Sequence, residues 1–336
     1  MDNWKALLKA DPTDWLLEEN DPSVRYFTLR DILDKPEADC EVESAKRSIM
    51  ATGMVPAILA LQQEADYLRT YPGFYTRKYN GLVWTLIVLA ELGAEPTPQI
   101  REQCAYLLSN SQELKEGGFS QHAAIKTGGG RPSEVIPCLT GNMVWALIRL
   151  GLLSDPGVQK GIGWITRFMR FDDGIEDPPQ GPPYDHYEAC WGRHTCHMGV
   201  VKALKALSAI PRELRNAEVI GTIEKASEFM LIHHIYKRSH NLNRVSKPGW
   251  LKFGFPLMYQ TDALEILDIL TGLSIKDSRM DDTVGIVLEK QDDMGRWSLE
   301  NTYNSDRLII PIGKQNEQSK WVTLRAMRAL KRYYSH

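Results

Sequence analysis

Trp84-Thr-Leu-Ile-Val-Leu89 and Trp145-Ala-Leu-Ile-Arg-Leu150 are two copies of one phrase. Phe27-Thr-Leu-Arg-Asp-Ile32, Lys202-Ala-Leu-Lys-Ala-Leu207, Asp262-Ala-Leu-Glu-Ile-Leu267 and Val322-Thr-Leu-Arg-Ala-Met327 complete a set of six, which in chain order begin 57, 61, 57, 60 and 60 residues apart. A register held from residue 27 to residue 327 marks an internal repeat. Each phrase spaces its apolar residues three and four apart, the period of a helix with one buried face. The six phrases are therefore six buried helices.

Between consecutive phrases there is room for one partner helix. Ser44–Leu68, Gln99–Leu108, Gly157–Arg170, Ile220–Tyr236 and Thr283–Gln291 supply five, and Trp4–Glu18 serves the first repeat. Several partners are followed by glycine and then an apolar residue, as in Gly118-Phe119, Gly174-Ile175 and Gly295-Arg-Trp297. Glycine beyond a helix end tolerates the left-handed conformation that closes it. The unit reads as helix, glycine stop, loop, helix, and the chain as an all-α protein.

Composition fits a single domain spanning residues 1–336. The chain is 43% hydrophobic and 25% charged, and the unbroken repeat outweighs the two domains that length alone suggests. The start shows no secretory apolar core and the longest apolar run, Gly81–Ala90, is too short to span a bilayer, so no integral membrane segment and a cytoplasmic location are expected. A net charge of −3 offers no general attraction to nucleic acid. Five cysteines, an odd number without an export signal, read as thiols or metal ligands rather than a disulfide framework.

Leu288-Glu-Lys-Gln291-Asp-Asp-Met-Gly295-Arg-Trp297 resembles the glutamine-tryptophan repeat of squalene and terpenoid cyclases, with weaker copies at Ser111–Phe119 and Trp164–Gly174. The resemblance implies the (α/α)6 toroid of the cyclase and protein prenyltransferase superfamily, six inner and six outer helices around a central cavity whose mouth lies at the inner helices' N-termini. It does not carry the cyclase acid with it. The Asp-x-Asp-Asp-Thr motif of proton-initiated cyclases has its nearest match in Met280-Asp281-Asp282-Thr283, which lacks the first aspartate and opens a partner helix. Asp281 and Asp282 read more simply as helix N-terminal acids.

The densest chemistry lies at the starts of phrase helices three and four. Cys138-Leu-Thr-Gly141 opens one, and Cys190-Trp-Gly-Arg-His194-Thr-Cys196-His197-Met-Gly199 opens the next. Neighbouring helices would bring Cys138, Cys190, Cys196, His194 and His197 to one patch, with the ligand types and number that zinc prefers. Lanthionine cyclases and protein prenyltransferases are similar in holding zinc at the cavity mouth to activate a substrate thiol. The plainer alternative, burial of cysteine as a small hydrophobe, is assigned to Cys40 and Cys104.

Further candidates surround the same rim. Lys237, Arg238, Arg244, Lys247 and Lys252 occur with no acid among them and suit an anionic substrate group. Arg131, in the loop Lys126–Pro132, and the aromatics Tyr79 and Tyr259 join them as substrate-binding candidates. Tyr75, Trp191, Trp250, Phe253 and Phe255 would add to an apolar wall, although at least half of these aromatics are expected to be plain core. The favoured reading is a zinc-dependent transferase or cyclase acting on a small-molecule or thiol-containing substrate, isoprenoid-like and anionic. The alternatives are an (α/α)6 glycosidase or lyase using Glu134, Asp185, Glu188 and Asp262, or a toroid that only binds a ligand or partner.

Overall fold

The computed structural model describes residues 3–64, 73–302 and 308–335. They are mostly helical, and their one sheet is a two-stranded hairpin of β1 (Lys237–Arg238) and β2 (Asn241–Val245). The helices are α1 Thr13–Leu16, α2 Pro22–Phe27, α3 Cys40–Ala51, α4 Met54–Glu64, α5 Leu82–Glu91, α6 Pro98–Ser111, α7 Pro137–Arg149, α8 Pro156–Phe168, α9 Glu188–Trp191, α10 His197–Ser208, α11 Ala217–Ile232, α12 Ala263–Gly272, α13 Asp281–Glu289 and α14 Lys320–Ser335. None of them is long and apolar enough to cross a membrane.

Five of the six phrases fall inside α5, α7, α10, α12 and α14, as their period requires. The first does not. Phe27 ends α2, and Thr28–Ile32 continue as one π-helical turn. Partner helices stand where expected, with two local departures. The partner after the first phrase is broken into α3 and α4 around Gly53, and the N-terminal segment forms a 3-10 turn, Asn3–Leu7, and the short α1 instead of one helix.

Phrase helices pack on their successors: α5 on α7, α7 on α10, α10 on α12 and α12 on α14. Helix α14 in turn packs on α2, so the first and last repeats meet. Lys331 donates to the carbonyls of Ile32 and Asp31 at 3.0 and 3.2 Å, and Arg328 pairs with Asp31 at 2.8 Å. Each partner packs on its own phrase helix, as α6 on α5, α8 on α7, α11 on α10 and α13 on α12.

The glutamine-tryptophan motif proves to be a seam between neighbouring partners. Gln112 donates to the Gly117 and Gly157 carbonyls at 2.9 and 2.7 Å, joining α6 to the start of α8. Gln291, after α13, accepts from the Lys9 amide at 3.0 Å and donates to the Leu7 carbonyl at 3.3 Å. The N-terminal segment thus occupies the place that α8 takes beside α6. Thr140 and Thr323 complete the parallel, since each hydroxyl accepts from the amide of the motif aromatic, Phe119 or Trp297, at 2.9 Å.

The glycines of the motif are not helix caps. Gly117, Gly174 and Gly295, all with positive φ, stand six residues beyond the ends of α6, α8 and α13 at Ser111, Phe168 and Glu289. A Cβ on Gly295 would lie 1.9 Å from the Ala10 carbonyl oxygen, and one on Gly117 2.8 Å from that of Lys160. Only glycine lets the turn come this close to the next partner.

The phrase helices also bury charge. Lys202 has no exposed side-chain surface and pairs with Glu265 at 2.7 Å; Lys205 reaches Glu91 at 2.6 Å and Glu265 at 3.1 Å. Burial pushes the Glu265 carboxyl up, but Lys202, Lys205 and Arg325 outweigh it and hold the group below the usual carboxylate range. Glu91 and Asp268 are likewise held low, against burial, by Lys205 with Arg325 and by Arg328.

Replacing Glu265 by Ala strands a buried ammonium and should cost about 3–5 kcal/mol in urea unfolding, whereas pairing Glu265→Leu with Lys202→Met should cost clearly less. The low carboxyls also set a sign for pH. The unfolded chain takes up their protons first, near about 4.3, so stability should be full above that pH and fall as pH drops below it, which acid titration followed by circular dichroism would measure.

Candidate functional site

Asp173 lies on the turn after α8, between two groups of histidines. Its neighbour Asp172 anchors that turn, accepting from the amides of Gly174, Ile175 and Glu176 at 3.3, 3.2 and 3.1 Å and pairing with Arg170 at 3.0 Å. A backbone bridge joins Asp173 to His194 on the segment before α10. Thr195 donates its amide to the Asp172 carbonyl at 3.1 Å, locking the two strands of chain together.

Among the described residues, two sets of three metal-ligand donors have all their atoms within 4.8 Å of one another: Asp173 with His197 and His233, and Asp173 with His194 and His240. His197 is the first residue of α10, His233 follows α11, and His240 sits at the turn of the hairpin. The start of α10 and the segment from the end of α11 to the hairpin turn therefore meet at one carboxylate.

His233 is 2% exposed. Its Nδ1 stands 2.6 Å from the Phe229 carbonyl, which only accepts, so Nδ1 carries a hydrogen and donates. Nε2 then faces Asp173 Oδ1 at 3.2 Å. In the neutral ring both atoms are electron-pair donors, so a proton or a cation must lie between them. His197 packs edge-on to His233 with ring centres 4.1 Å apart, and its Nδ1 is 3.5 Å from the Ser246 hydroxyl. Burial, and after it the neighbouring His233, hold His197 down at about 3, so its ring is neutral and free to ligate at ordinary pH.

The outer set is open to solvent. The side chains of His194 and His240 are both 66% exposed, and they approach Asp173 at 3.9 and 3.3 Å. His240 Nε2 also lies 2.9 Å from the Asp173 main-chain carbonyl, a hydrogen bond it would give up on ligating a metal, and Ser239 gives its hydroxyl hydrogen to Oδ2.

Of the five metal candidates read from sequence, His194 and His197 belong to these sets, and no thiol does. Cys138, Cys190 and Cys196 are nonetheless neighbours. Burial pushes Cys138 and Cys190 up to about 12, and the charges of nearby thiolates push in the same direction. Cys196 is the residue before α10, next to His197. Cys104 is buried as expected, but Cys40 is exposed at the start of α3, which corrects its assignment to the core.

The substrate-side candidates divide. Lys237 pairs with Asp282 of α13, so the acid missing from its own loop comes from a partner helix. Arg238, Arg244 and Lys252 are exposed, and Lys247, also exposed, lies near enough for its charge to bear on His197. Arg131 pairs with Glu134 at 3.1 Å. Tyr79 is buried against Trp84 with ring centres 5.7 Å apart, and the Lys78 ammonium lies over Tyr259 at 4.6 Å. Tyr75, Trp191, Trp250, Phe253 and Phe255 are buried core.

The carboxylates of the alternative reading are dispersed in role. Asp262 is fully buried, accepting from the Gly254 and Glu265 amides at 2.8 and 2.7 Å, with burial lifting it to about 6. Asp185 accepts from the Gly181 amide, and Glu188 is exposed. A cavity of about 420 Å³ does lie among the phrase helices, with all six contributing, but at their C-terminal ends: Glu91, Arg149, Ser208, Gly272 and Arg332 mark its wall. The nearest α10 residue lining it, Lys205, stands eight residues beyond His197, so the donors and this cavity are roughly 12 Å apart along the helix axis.

Sequence reading missed Asp173, His233 and His240. The available signals were the acidic pair before Gly174 and the three histidines between residues 233 and 240.

No family model and no curated protein matches the chain. Among solved structures it is similar to a variant of the type II terpene cyclase MstE from Scytonema, in complex with the substrate geranylgeranyl dihydroxybenzoate, at a TM-score of 0.44 and 14% identity, over 94% of this chain and 88% of that one.

Proposed function

We propose that the chain is an (α/α)6 toroid enzyme that binds a divalent transition metal, zinc foremost, through Asp173, His197 and His233 at the N-terminal end of α10, and acts there on a small molecule with a thiol or oxyanion group. Helix succession from α5 to α14, the return of α14 to α2 and the cavity lined by all six phrases support the toroid. The observation that carries the metal is the approach of His233 Nε2 to a carboxylate oxygen at 3.2 Å in a buried place, with the neutral His197 ring beside it.

The set fits zinc in donor type. Two imidazoles and one carboxylate leave a coordination position open, the pattern of catalytic rather than structural sites. The Phe229 carbonyl fixes the His233 tautomer and ring orientation, as an outer-sphere partner should. Zinc bound there would act as a Lewis acid, lowering the pKa of a coordinated thiol or water. The chain's own part is to orient the imidazoles, keep His197 unprotonated and place the Lys247 charge near an incoming anion.

The mutual proximity of Cys138, Cys190 and Cys196 supports a second reading, in which the metal takes thiolates at the start of α10. Cobalt(II) in place of zinc separates the two. The favoured reading expects d–d bands without sulfur charge transfer, metal retained in Cys196→Ser, and affinity lowered at least 10–100-fold in His233→Ala. Sulfur charge transfer lost in Cys196→Ser would replace it with the thiolate site, and absence of bound metal in either form would overturn both.

A further inference from the structure

The two donor sets share Asp173, and we infer that this carboxylate bridges two metal ions, the outer one held by His194 and His240. The inference rests on the inner site proposed above and extends it to a binuclear centre. Oδ1 faces His233 at 3.2 Å and His194 at 3.9 Å, while Oδ2 faces His240 at 3.3 Å. The carboxylate therefore stands between the inner and outer imidazoles, with Oδ1 shared by His233 and His194 and Oδ2 turned to His240.

The outer set is built into the fold. Gly174 has φ +88°, and a Cβ there would lie 2.2 Å from Cε1 of His194 and within 2.9 Å of both its ring nitrogens. The imidazole rests where any other residue would put a side chain. The backbone bridge from Asp173 to His194 sets its approach, and the hairpin turn brings the His240 ring to 6.1 Å from it, centre to centre. Asp172 spends its carboxylate on three amides and Arg170, which leaves Asp173 as the acid turned to the histidines.

Asp173 is the one charged donor the two sets share, so the second cation is held against the repulsion of the first and binds more weakly. Four imidazoles contribute no charge when neutral, so one carboxylate must serve both cations, and a bridging position does so at least cost in exposed donors. Two cations about 3.5–4 Å apart form a clamp for an oxyanion, stabilising charge on attacking and leaving oxygens. The chemical class this selects is a phosphate ester, diphosphate or carboxylate, with Lys247 adding positive charge from the hairpin side.

The test is a titration of the metal-stripped full-length chain with cobalt(II), read by absorbance and calorimetry. Wild type is expected to bind two equivalents, the exposed one more weakly. His240→Ala removes an exposed side chain and should fold normally; it is expected to bind one equivalent with the tighter affinity unchanged. Gly174→Val should abolish the same equivalent without removing a donor, and His240→Ala decides if that variant fails to fold. One equivalent in wild type, unchanged in His240→Ala, would refute the binuclear centre and leave the inner site standing. Two equivalents surviving in His240→Ala would refute the assignment of the outer site, and no binding would refute the inner site as well.

Discussion

Glu265 is the point on which the phrase helices depend. It receives Lys202 and Lys205 from α10, and Lys205 passes on to Glu91 of α5, which also faces Arg325 of α14 at 3.7 Å. Four helices are thus tied through one line of alternating charge, with Lys202 and Glu265 almost wholly withdrawn from solvent. Apolar packing would hold these helices together at any rotation, but charges satisfied only by named partners fix which residues face each other. The phrase Lys202-Ala-Leu-Lys-Ala-Leu207 is buried with both its lysines paired in this way.

The helices were legible in the sequence because their cause is local. A period of three and four with apolar residues burying one face needs no knowledge of the partner. The first repeat was legible in position but not in form. Phe27–Ile32 carries the phrase, yet Arg30 and Asp31 reach out to Glu37 and Arg328, and the chain widens into a π turn there. The broken α3 and α4 pair has a visible cause in Gly53, whose positive φ interrupts the helix.

The site was half legible. His194 and His197 could be found because they crowd the start of a phrase helix, where the repeat itself points. Asp173, His233 and His240 could not, because their convergence depends on how a turn, a helix end and a hairpin fold over one another. Spacing rules read ligands that share an element; here each element supplies one or two. Cysteine type and number named different donors from those that lie within 4.8 Å of one another among the described residues.

The seam at Gln291 has a consequence for how the chain acquires its structure. Lys9 meets Gln291 across 282 residues, and Lys331 meets Ile32 across 299. Contacts of such sequence separation are slow to form, because the entropy of closing the loop is lost before the contact repays it. During synthesis the first partner's seat beside α13 does not yet exist, so the N-terminal segment waits unpaired with Trp4 uncovered while repeat is added to repeat. Helix α14 supplies the further groups, Arg328 and Lys331, that reach Asp31 and Ile32. The contacts that join the first and last repeats are therefore expected to form late, after the local helix pairs they connect.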